Sequence, residues 1–270
     1  MVAALVSALL LLGGGAGVAE RPITLPAAGG ELALRGTVAV PAGPGPHPAA
    51  VLVGGFGPAD GDGGFGERAG AYATWARELA ARGVAVLRYD KRGTGDSDGP
   101  ALSWLDARPL AADAVAAVRA LVRLPGVDLG RVTIIGHSQG GDLALRAVAA
   151  TPATRIVTLG APAQPLGRLR RAAGAAGRLL ERLAGPAVAA ATLGRDPLPD
   201  AVRARQPALL VHGTADRTVP VGDMAALARA RERAGLATRT LAVPGAGHFV
   251  SVDGVVPAGV FDAVARFAEA

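Results

Sequence analysis

The chain has 270 residues, half of them hydrophobic, which is enough for one large domain with a sizeable core, or for a domain with a small insertion. It contains no cysteine, so disulfides and thiolate metal sites are excluded. The net charge of +6 comes from arginines scattered along alanine-rich stretches, without basic runs interleaved with aromatic residues. Nucleic acid is therefore not an expected partner.

The first 19 residues have the composition of an export signal. They contain no charged side chain, and an apolar run over 2–12 is followed by small residues. Gly17 and Ala19 resemble a signal cleavage site, which predicts a cut before Glu20 and an exported protein. The run is shorter than the roughly 20 residues of a membrane span, so no stable membrane insertion is expected after the cut. An uncleaved anchor is the alternative, because no Lys or Arg precedes the run.

From residue 20 onward, strand and helix patterns alternate. Polar and apolar residues alternate over 23–25 and 32–40, which predicts an antiparallel hairpin at the edge of a sheet. Short apolar runs indicate buried strands, and segments with helical periodicity lie between them. The predicted strands are 49–53, 84–89, 132–135, 156–159, 208–211 and 239–243, and the predicted helices are 69–82, 105–124, 139–150, 223–234 and 255–268. This order predicts an α/β fold with a doubly wound, mostly parallel sheet.

The segment 163–205 interrupts the alternation. It is too long for a single crossover helix, it is rich in Ala, Leu and Arg, and it is broken by glycines and a proline. We expect two or three short helices set over the carboxyl ends of the strands. They would form a short helical cap on a domain that spans residues 20–270.

A serine between two glycines stands where a predicted strand meets a predicted helix. In the motif G-H-S-Q-G at 136–140, the glycines allow a sharp turn that exposes the hydroxyl of Ser138. The same spacing recurs around Ser97, but there a Gly-Pro pair stands where a helix would have to begin, and two carboxylates flank the serine. Ser138 is therefore the predicted nucleophile of an enzyme that attacks carbonyl carbons.

Four histidines are candidates for the base that removes the serine proton. His248 lies in the loop between the last predicted strand and the last helix, at the carboxyl end of the sheet, and is the predicted base. His137 adjoins Ser138 and is expected to point away from it. His47 precedes the first buried strand, and His212 ends a strand, where local backbone can satisfy it.

The imidazole also needs an acid that fixes its tautomer. Asp216 follows the strand at 208–211 directly and is the predicted acid. Asp223 is the runner-up, with N-capping of the next helix as its alternative role. The chain order Ser138, Asp216, His248 is the order of α/β-hydrolases and differs from those of chymotrypsin and subtilisin.

An oxyanion hole requires two convergent backbone N–H donors. The predicted donors are the amide of Gln139, at the start of the helix after the serine, and the amide of Phe56, in the glycine-rich loop after strand 49–53. The Phe56 side chain is expected to line the acyl pocket. The aspartates further along this loop lack the pattern of a phosphate or calcium loop, and no metal-ligand cluster is visible elsewhere.

Two stretches, G-F-G-P-A-D-G-D-G at 55–63 and L-R-Y-D-K-R-G-T-G-D-S at 87–97, resemble a bacterial group of α/β-hydrolases, esterases related to serine aminopeptidases. The resemblance covers nearly all of residues 30–270 and implies the α/β-hydrolase fold. The group usually has Gly-Ser-Gly-Pro where this chain has Phe56 in place of the serine, which keeps the backbone donor and changes the pocket. Asp90, Lys91 and Arg92 are expected to brace the loops beneath the site.

These features predict a serine hydrolase that cleaves a small-molecule carboxylic ester through an acyl-enzyme, without a cofactor or metal. An aminopeptidase or amidase of the same fold is the first alternative. The predicted cap holds few acids and many arginines, which favours a neutral or anionic substrate over one with a free amine. A non-catalytic binding protein is the second alternative, although such proteins usually lose a triad member. The acyl chain, the alcohol and the oligomeric state are not encoded in any recognisable pattern.

Overall fold

The computed structural model describes residues 17–58, 60–63, 70–168 and 175–270. Within these residues, eight strands form one sheet in the order β1-β2-β4-β3-β5-β6-β7-β8. The strands are β1 Ala19–Pro26, β2 Ala33–Val40, β3 His47–Val53, β4 Ala85–Tyr89, β5 Val127–His137, β6 Arg155–Leu159, β7 Ala208–Gly213 and β8 Thr238–Val243. All of the predicted strands are therefore present.

The sheet is antiparallel at one edge and parallel elsewhere. β1 and β2 form the predicted hairpin, and β2 pairs antiparallel with β4. From β4 to β8 every neighbouring pair is parallel. Because β3 lies between β4 and β5, the strand order reverses there, and ligand sites of open α/β sheets form at such a reversal, outside the carboxyl ends of the strands.

Helices cover both faces of the sheet. Their bounds are α1 Ala71–Ala80, α2 Ala107–Leu121, α3 Gln139–Ala147, α4 Ala175–Val188, α5 Leu198–Arg203, α6 Val221–Arg233 and α7 Ala258–Glu269. Residues of α2, α3, α5 and α6 share one core cluster, and residues of α1 and α7 share the other. Successive residues of β5, Ile134 and Ile135, belong to opposite clusters, as the alternation of side chains along a strand requires.

Pro109 marks the start of α2 and does not kink it. The Asp106 carboxylate accepts the backbone N–H of Arg108 and caps the helix. Pro109 then stands in the first turn, where a missing N–H costs no helical hydrogen bond. Short 3₁₀ turns at Ser103–Leu105 and Val148–Ala150 precede α2 and follow α3.

The segment predicted as a cap has two different parts. Helix α4 is broken at Gly185, whose φ of 73° and ψ of 163° are non-helical, and a π-helical turn follows at Ala189–Leu193. Helix α5 packs against α3 and α6, and its residue Ala201 is buried in the core together with Ala204. This last helix therefore belongs to the layer beside the sheet.

The predicted export signal lies almost wholly outside the described residues, so the cut before Glu20 stays a prediction. Strand β1 begins at Ala19, and Glu20 already accepts hydrogen bonds from Arg77 and Arg88. The residues that follow the predicted cut are thus part of the fold. In the described ranges, no helix has both the length and the apolar character needed to cross a membrane.

Arg231 of α6 is fully buried and joins three elements. Its guanidinium donates to the carbonyls of Ala201 (2.8 Å), Ala204 (2.6 Å) and Gln206 (2.7 Å). Its Nε donates to the hydroxyl of Thr238, at the start of β8. Burial lowers the pKa of Arg231 to about 10, so the group remains charged at neutral pH.

We expect Arg231→Met to lower the free energy of unfolding by about 3 kcal/mol, because it leaves several buried carbonyls without a donor. The measurement is urea unfolding at pH 7. Arg229→Met is the matched control, since Arg229 is exposed on the same helix and its loss should change the value by less than about 0.5 kcal/mol. Equal midpoints for the two variants would contradict the structural role of Arg231.

Candidate active site

Ser138 occupies a sharp turn between β5 and α3. Its φ of 54° and ψ of −123° lie in a region that side-chain-bearing residues rarely adopt. The flanking glycines are required by close backbone contacts: a Cβ on Gly136 would lie 2.1 Å from the carbonyl oxygen of Gly140, and a Cβ on Gly140 would lie 2.1 Å from that of Val53. The turn therefore has the geometry expected of a nucleophile elbow.

Asp216 and His248 are hydrogen-bonded to each other. The Nδ1–H of His248 donates to Oδ2 of Asp216 at 2.7 Å. The other carboxylate oxygen accepts the backbone N–H groups of Thr218 (2.8 Å) and Val219 (2.9 Å). The carboxylate is thus held on both sides, and the neutral imidazole is held in the tautomer with its proton on Nδ1.

The local environment keeps Asp216 ionised. Burial raises the pKa of this carboxyl, but hydrogen bonds from His212 and His248 outweigh burial and hold the pKa below its usual range. His212 Nε2 lies 3.3 Å from Oδ2 of Asp216 and 2.9 Å from the carbonyl oxygen of Val219. The backbone contact predicted for His212 is therefore present, and the contact with Asp216 is an additional one.

Ser138 lies beside this pair at the carboxyl ends of β5, β6 and β7. The N–H of Ser138 donates to the carbonyl of Leu159. Gly160 follows Leu159, and a Cβ built on Gly160 would lie 3.4 Å from both Asp216 Oδ2 and His248 Nδ1. No hydrogen bond joins the Ser138 hydroxyl to the His248 imidazole in the described part of the chain. In enzymes without substrate this contact is often long, and it tightens when substrate binds.

His137 connects the two halves of the site, a role that the sequence did not indicate. The Tyr72 hydroxyl accepts the N–H of Gly55 at 2.7 Å. Its own proton is donated to Nδ1 of His137 at 2.9 Å. Nε2 of His137 then carries the proton and donates to the carbonyl of His248 at 3.0 Å. The Phe249 ring packs on His137 with ring centroids 4.4 Å apart.

The loop after β3 lies directly against the serine. A Cβ on Gly55 would lie 3.1 Å from the Cβ of Ser138. Phe56 follows in this loop, and its ring meets Trp104 edge to face at 5.5 Å. Gln139 is the first residue of α3, so its backbone N–H has no intrahelical acceptor. Both predicted oxyanion donors therefore belong to segments that adjoin Ser138.

The charged residues after β4 brace the neighbouring loops, as expected. Asp90 accepts the backbone N–H groups of Gly61 (2.6 Å) and Asp96 (2.8 Å). Lys91 is buried and donates to backbone carbonyls of the loop that carries Phe56. In addition, Arg92 forms a bidentate ion pair with the fully buried Asp113.

The two runner-up residues have structural roles. The Ser97 hydroxyl donates to the carbonyl of Asp90 and accepts the N–H of Arg35. The capping role predicted for Asp223 is wrong: Pro220 is the N-cap of α6, and Asp223, in the first turn, accepts the N–H of Ala163 at 3.0 Å. Asp223 therefore anchors the chain that leaves β6.

The described residues contain no group of three or more His, Cys, Asp or Glu side chains that could hold a metal ion. The groups that the site brings together are the hydroxyl of Ser138, the imidazole of His248, the carboxylate of Asp216 and backbone amides. Such an arrangement can transfer an acyl group from a carbonyl compound to the hydroxyl.

Comparison with known proteins identifies the family. A sequence model of the serine aminopeptidase family S33 matches residues 63–197, half of the chain, which therefore belongs to this family. Esterase EstD of Thermotoga maritima is 35% identical over 133 residues, which are 49% of this chain and 31% of that relative. The match thus spans about a third of the relative's length.

Solved structures confirm the α/β-hydrolase fold. An esterase of Pyrococcus furiosus superposes with a TM-score of 0.72 at 18% identity, covering 93% of this chain and 91% of that one. The α/β-hydrolase GrgF of Penicillium sp. sh18 gives 0.72 at 20% identity over 93% and 98%. Acylaminoacyl peptidase of Pyrococcus horikoshii gives 0.72 at 18% identity over 94% and 41%. Family and fold therefore agree: the chain belongs to the serine aminopeptidase family S33 and has the α/β-hydrolase fold.

We expect Gly160→Ala to disturb the Asp216–His248 pair, because Gly160 has a φ of +59° and its new Cβ would lie 3.1 Å from the backbone carbonyl oxygen of His248, tight enough to displace that residue. The variant should lose roughly 1–2 kcal/mol of stability in urea unfolding. It should also lose or shift the downfield proton NMR signal of the His248 Nδ1–H.

Gly222→Ala is the matched control, since a Cβ there meets nothing within 4 Å. It should leave the NMR signal unchanged. An unchanged signal in Gly160→Ala would contradict the close packing inferred around the pair.

Proposed function

We propose that this protein is a serine hydrolase that cleaves carboxylic esters through an acyl-enzyme intermediate. The observation that carries the proposal is the hydrogen-bonded Asp216–His248 pair beside the strained turn at Ser138. A plain strand–helix connection would need neither the strained serine nor an imidazole oriented by an ionised carboxylate.

In the first half of the reaction, the Ser138 oxygen attacks the ester carbonyl and its proton passes to Nε2 of His248. Asp216 stabilises the imidazolium that forms, through the 2.7 Å hydrogen bond to Nδ1. The tetrahedral intermediate collapses when the C–O bond to the alcohol breaks, and His248 gives its proton to the departing oxygen. Ser138 then carries the acyl group.

In the second half, water takes the place of the alcohol. His248 accepts a proton from the water as its oxygen attacks the acyl carbonyl, and the acid is released when Ser138 regains its proton. In both tetrahedral intermediates the negative oxygen would be bound by the backbone N–H groups of Phe56 and Gln139. The segments that carry these two donors both adjoin Ser138. Because the donors are backbone groups, no side chain has to move to form the oxyanion hole.

The carboxylates after α4 support an ester in preference to a substrate with a free amine. Asp196 accepts the backbone N–H of Leu198 at 3.0 Å. Asp200 is buried and forms ion pairs with Arg195 and Arg203. Asp200 is therefore already engaged within the protein, as is one oxygen of the exposed Asp196. The esterase relative from Thermotoga maritima supports the same choice.

Peptide or amide cleavage is the second candidate, because the family is described as serine aminopeptidase. The same triad could serve it, since an amide differs from an ester mainly in its poorer leaving group. Such an enzyme would additionally need an anchor for the substrate amine.

We expect Ser138→Ala to lower kcat for p-nitrophenyl butyrate by at least roughly 1,000-fold, because no other group supplies the nucleophile. Ser97→Ala is the matched control, since it changes the serine of the second G-x-S-x-G motif, and it should retain most of the activity. Undiminished turnover by Ser138→Ala, or loss in Ser97→Ala alone, would refute the assignment.

We expect p-nitrophenyl esters to be hydrolysed and aminoacyl p-nitroanilides to be left intact at equal enzyme concentration. The two substrate classes release the same type of chromophore, so their rates compare directly. The Ser138→Ala variant supplies the background rate for each. Faster turnover of the anilides would replace the ester assignment with the aminopeptidase.

A further inference from the structure

Lys91 contacts the peptide unit that carries one of the two proposed oxyanion donors. Its Nζ donates a hydrogen bond to the carbonyl oxygen of Gly55. That carbonyl and the N–H of Phe56 belong to the same planar, trans peptide unit, so they point in opposite directions. The Lys91 ammonium therefore lies on the carbonyl side of the peptide unit whose N–H, that of Phe56, is a proposed oxyanion donor.

The contact between Lys91 and the loop after β3 is buried. Lys91 is 3% exposed and is the only lysine of the chain. Its Nζ also lies 3.3 Å from the carbonyl oxygen of Gly57, so the carbonyls on both sides of Phe56 turn towards one cation. The N–H of Gly55 is held separately, by the Tyr72 hydroxyl. The loop is thus fixed at both peptide units that adjoin Gly55.

We propose that Lys91 is a positioning residue for the oxyanion hole: it orients the Gly55–Phe56 peptide and polarises its N–H towards the negative oxygen of the tetrahedral intermediate. The inference rests on the function proposed above. A charge-assisted hydrogen bond is roughly twice as strong as a neutral one, and it withdraws electron density from the carbonyl and hence from the N–H. In a buried site this effect is weakly screened.

The effect should appear in the transition state and not in substrate binding. The carbonyl oxygen of an ester carries little charge until the serine attacks, and a donor fixed in advance gains most when that charge develops. Loss of the Lys91 charge should therefore lower kcat and leave KM nearly unchanged. A lysine that only packed the loop would instead change thermal stability, without a selective effect on kcat.

The first test is Lys91→Met, which removes the charge and keeps a long apolar stem. With p-nitrophenyl acetate we expect kcat to fall roughly 10- to 100-fold, with KM within about twofold. Affinity for an aryl boronic acid, which forms an anionic tetrahedral adduct with the serine, should fall in parallel. Ser97→Ala is the control, because it removes braces from the loop after β4 without touching the Gly55–Phe56 peptide.

The absence of cysteine allows a second test that separates charge from shape. A Lys91→Cys variant has one thiol, which can be alkylated in denaturant before refolding. Aminoethylation restores an ammonium at nearly the same reach, whereas propylation adds a similar volume without charge. We expect the aminoethylated protein to recover most of kcat and the propylated protein to remain low. Rates are taken per titrated active site, so partial refolding does not distort the comparison.

Equal kcat for the two alkylated forms, or a wild-type kcat in Lys91→Met, would overturn the role of Lys91. Both results leave the proposed function intact if turnover still depends on Ser138. A wild-type protein without Ser138-dependent ester hydrolysis would instead remove the proposed function, and the role of Lys91 with it.

Discussion

The 2.7 Å hydrogen bond between His248 Nδ1 and Asp216 Oδ2 determines what the rest of the site can do. It forms because β7 and β8 are parallel neighbours, so the loops after them meet at the same edge of the sheet. The two N–H groups of Thr218 and Val219 hold the carboxylate, and the imidazole is consequently presented with Nε2 available as a base. In the proposed mechanism, this bond orients the imidazole that accepts the serine proton.

Close approach of backbones is the second constraint on the site. A Cβ on Gly140 would lie 2.1 Å from the carbonyl oxygen of Val53, and one on Gly55 would lie 3.1 Å from the Cβ of Ser138, so the loop after β3 packs tightly against the turn after β5. As a result, the backbone of the loop after β3 lies directly beside the serine. Backbone donors on rigid elements reorganise little during reaction, which is the property that an oxyanion hole requires.

Features that depend on short stretches of sequence could be predicted. Period-two alternation revealed the hairpin, short apolar runs revealed the parallel strands, and the glycine spacing around Ser138 revealed the turn. Asp216 and His248 could be predicted as a pair because each follows a strand of the predicted parallel sheet, and the carboxyl ends of parallel strands lie at one edge of the sheet.

The remaining features depend on contacts between distant residues that have no local signature. The hydrogen bonds of His137 join it to Tyr72, 65 residues away in the sequence, and to His248, 111 residues away. Lys91 reaches across 36 residues to Gly55, and Asp223 across 60 residues to Ala163. Asp223 has the sequence context of an N-cap, but a tertiary contact with the chain after β6 determines its role.

A crystal structure of the protein after reaction with an alkyl fluorophosphonate tests the central claim most directly, because the adduct imitates the tetrahedral intermediate. The account predicts phosphorus bonded to Oγ of Ser138, and the phosphoryl oxygen about 3 Å from the backbone nitrogens of both Phe56 and Gln139. Phosphorus on another residue, or a phosphoryl oxygen turned away from these two amides, would contradict it.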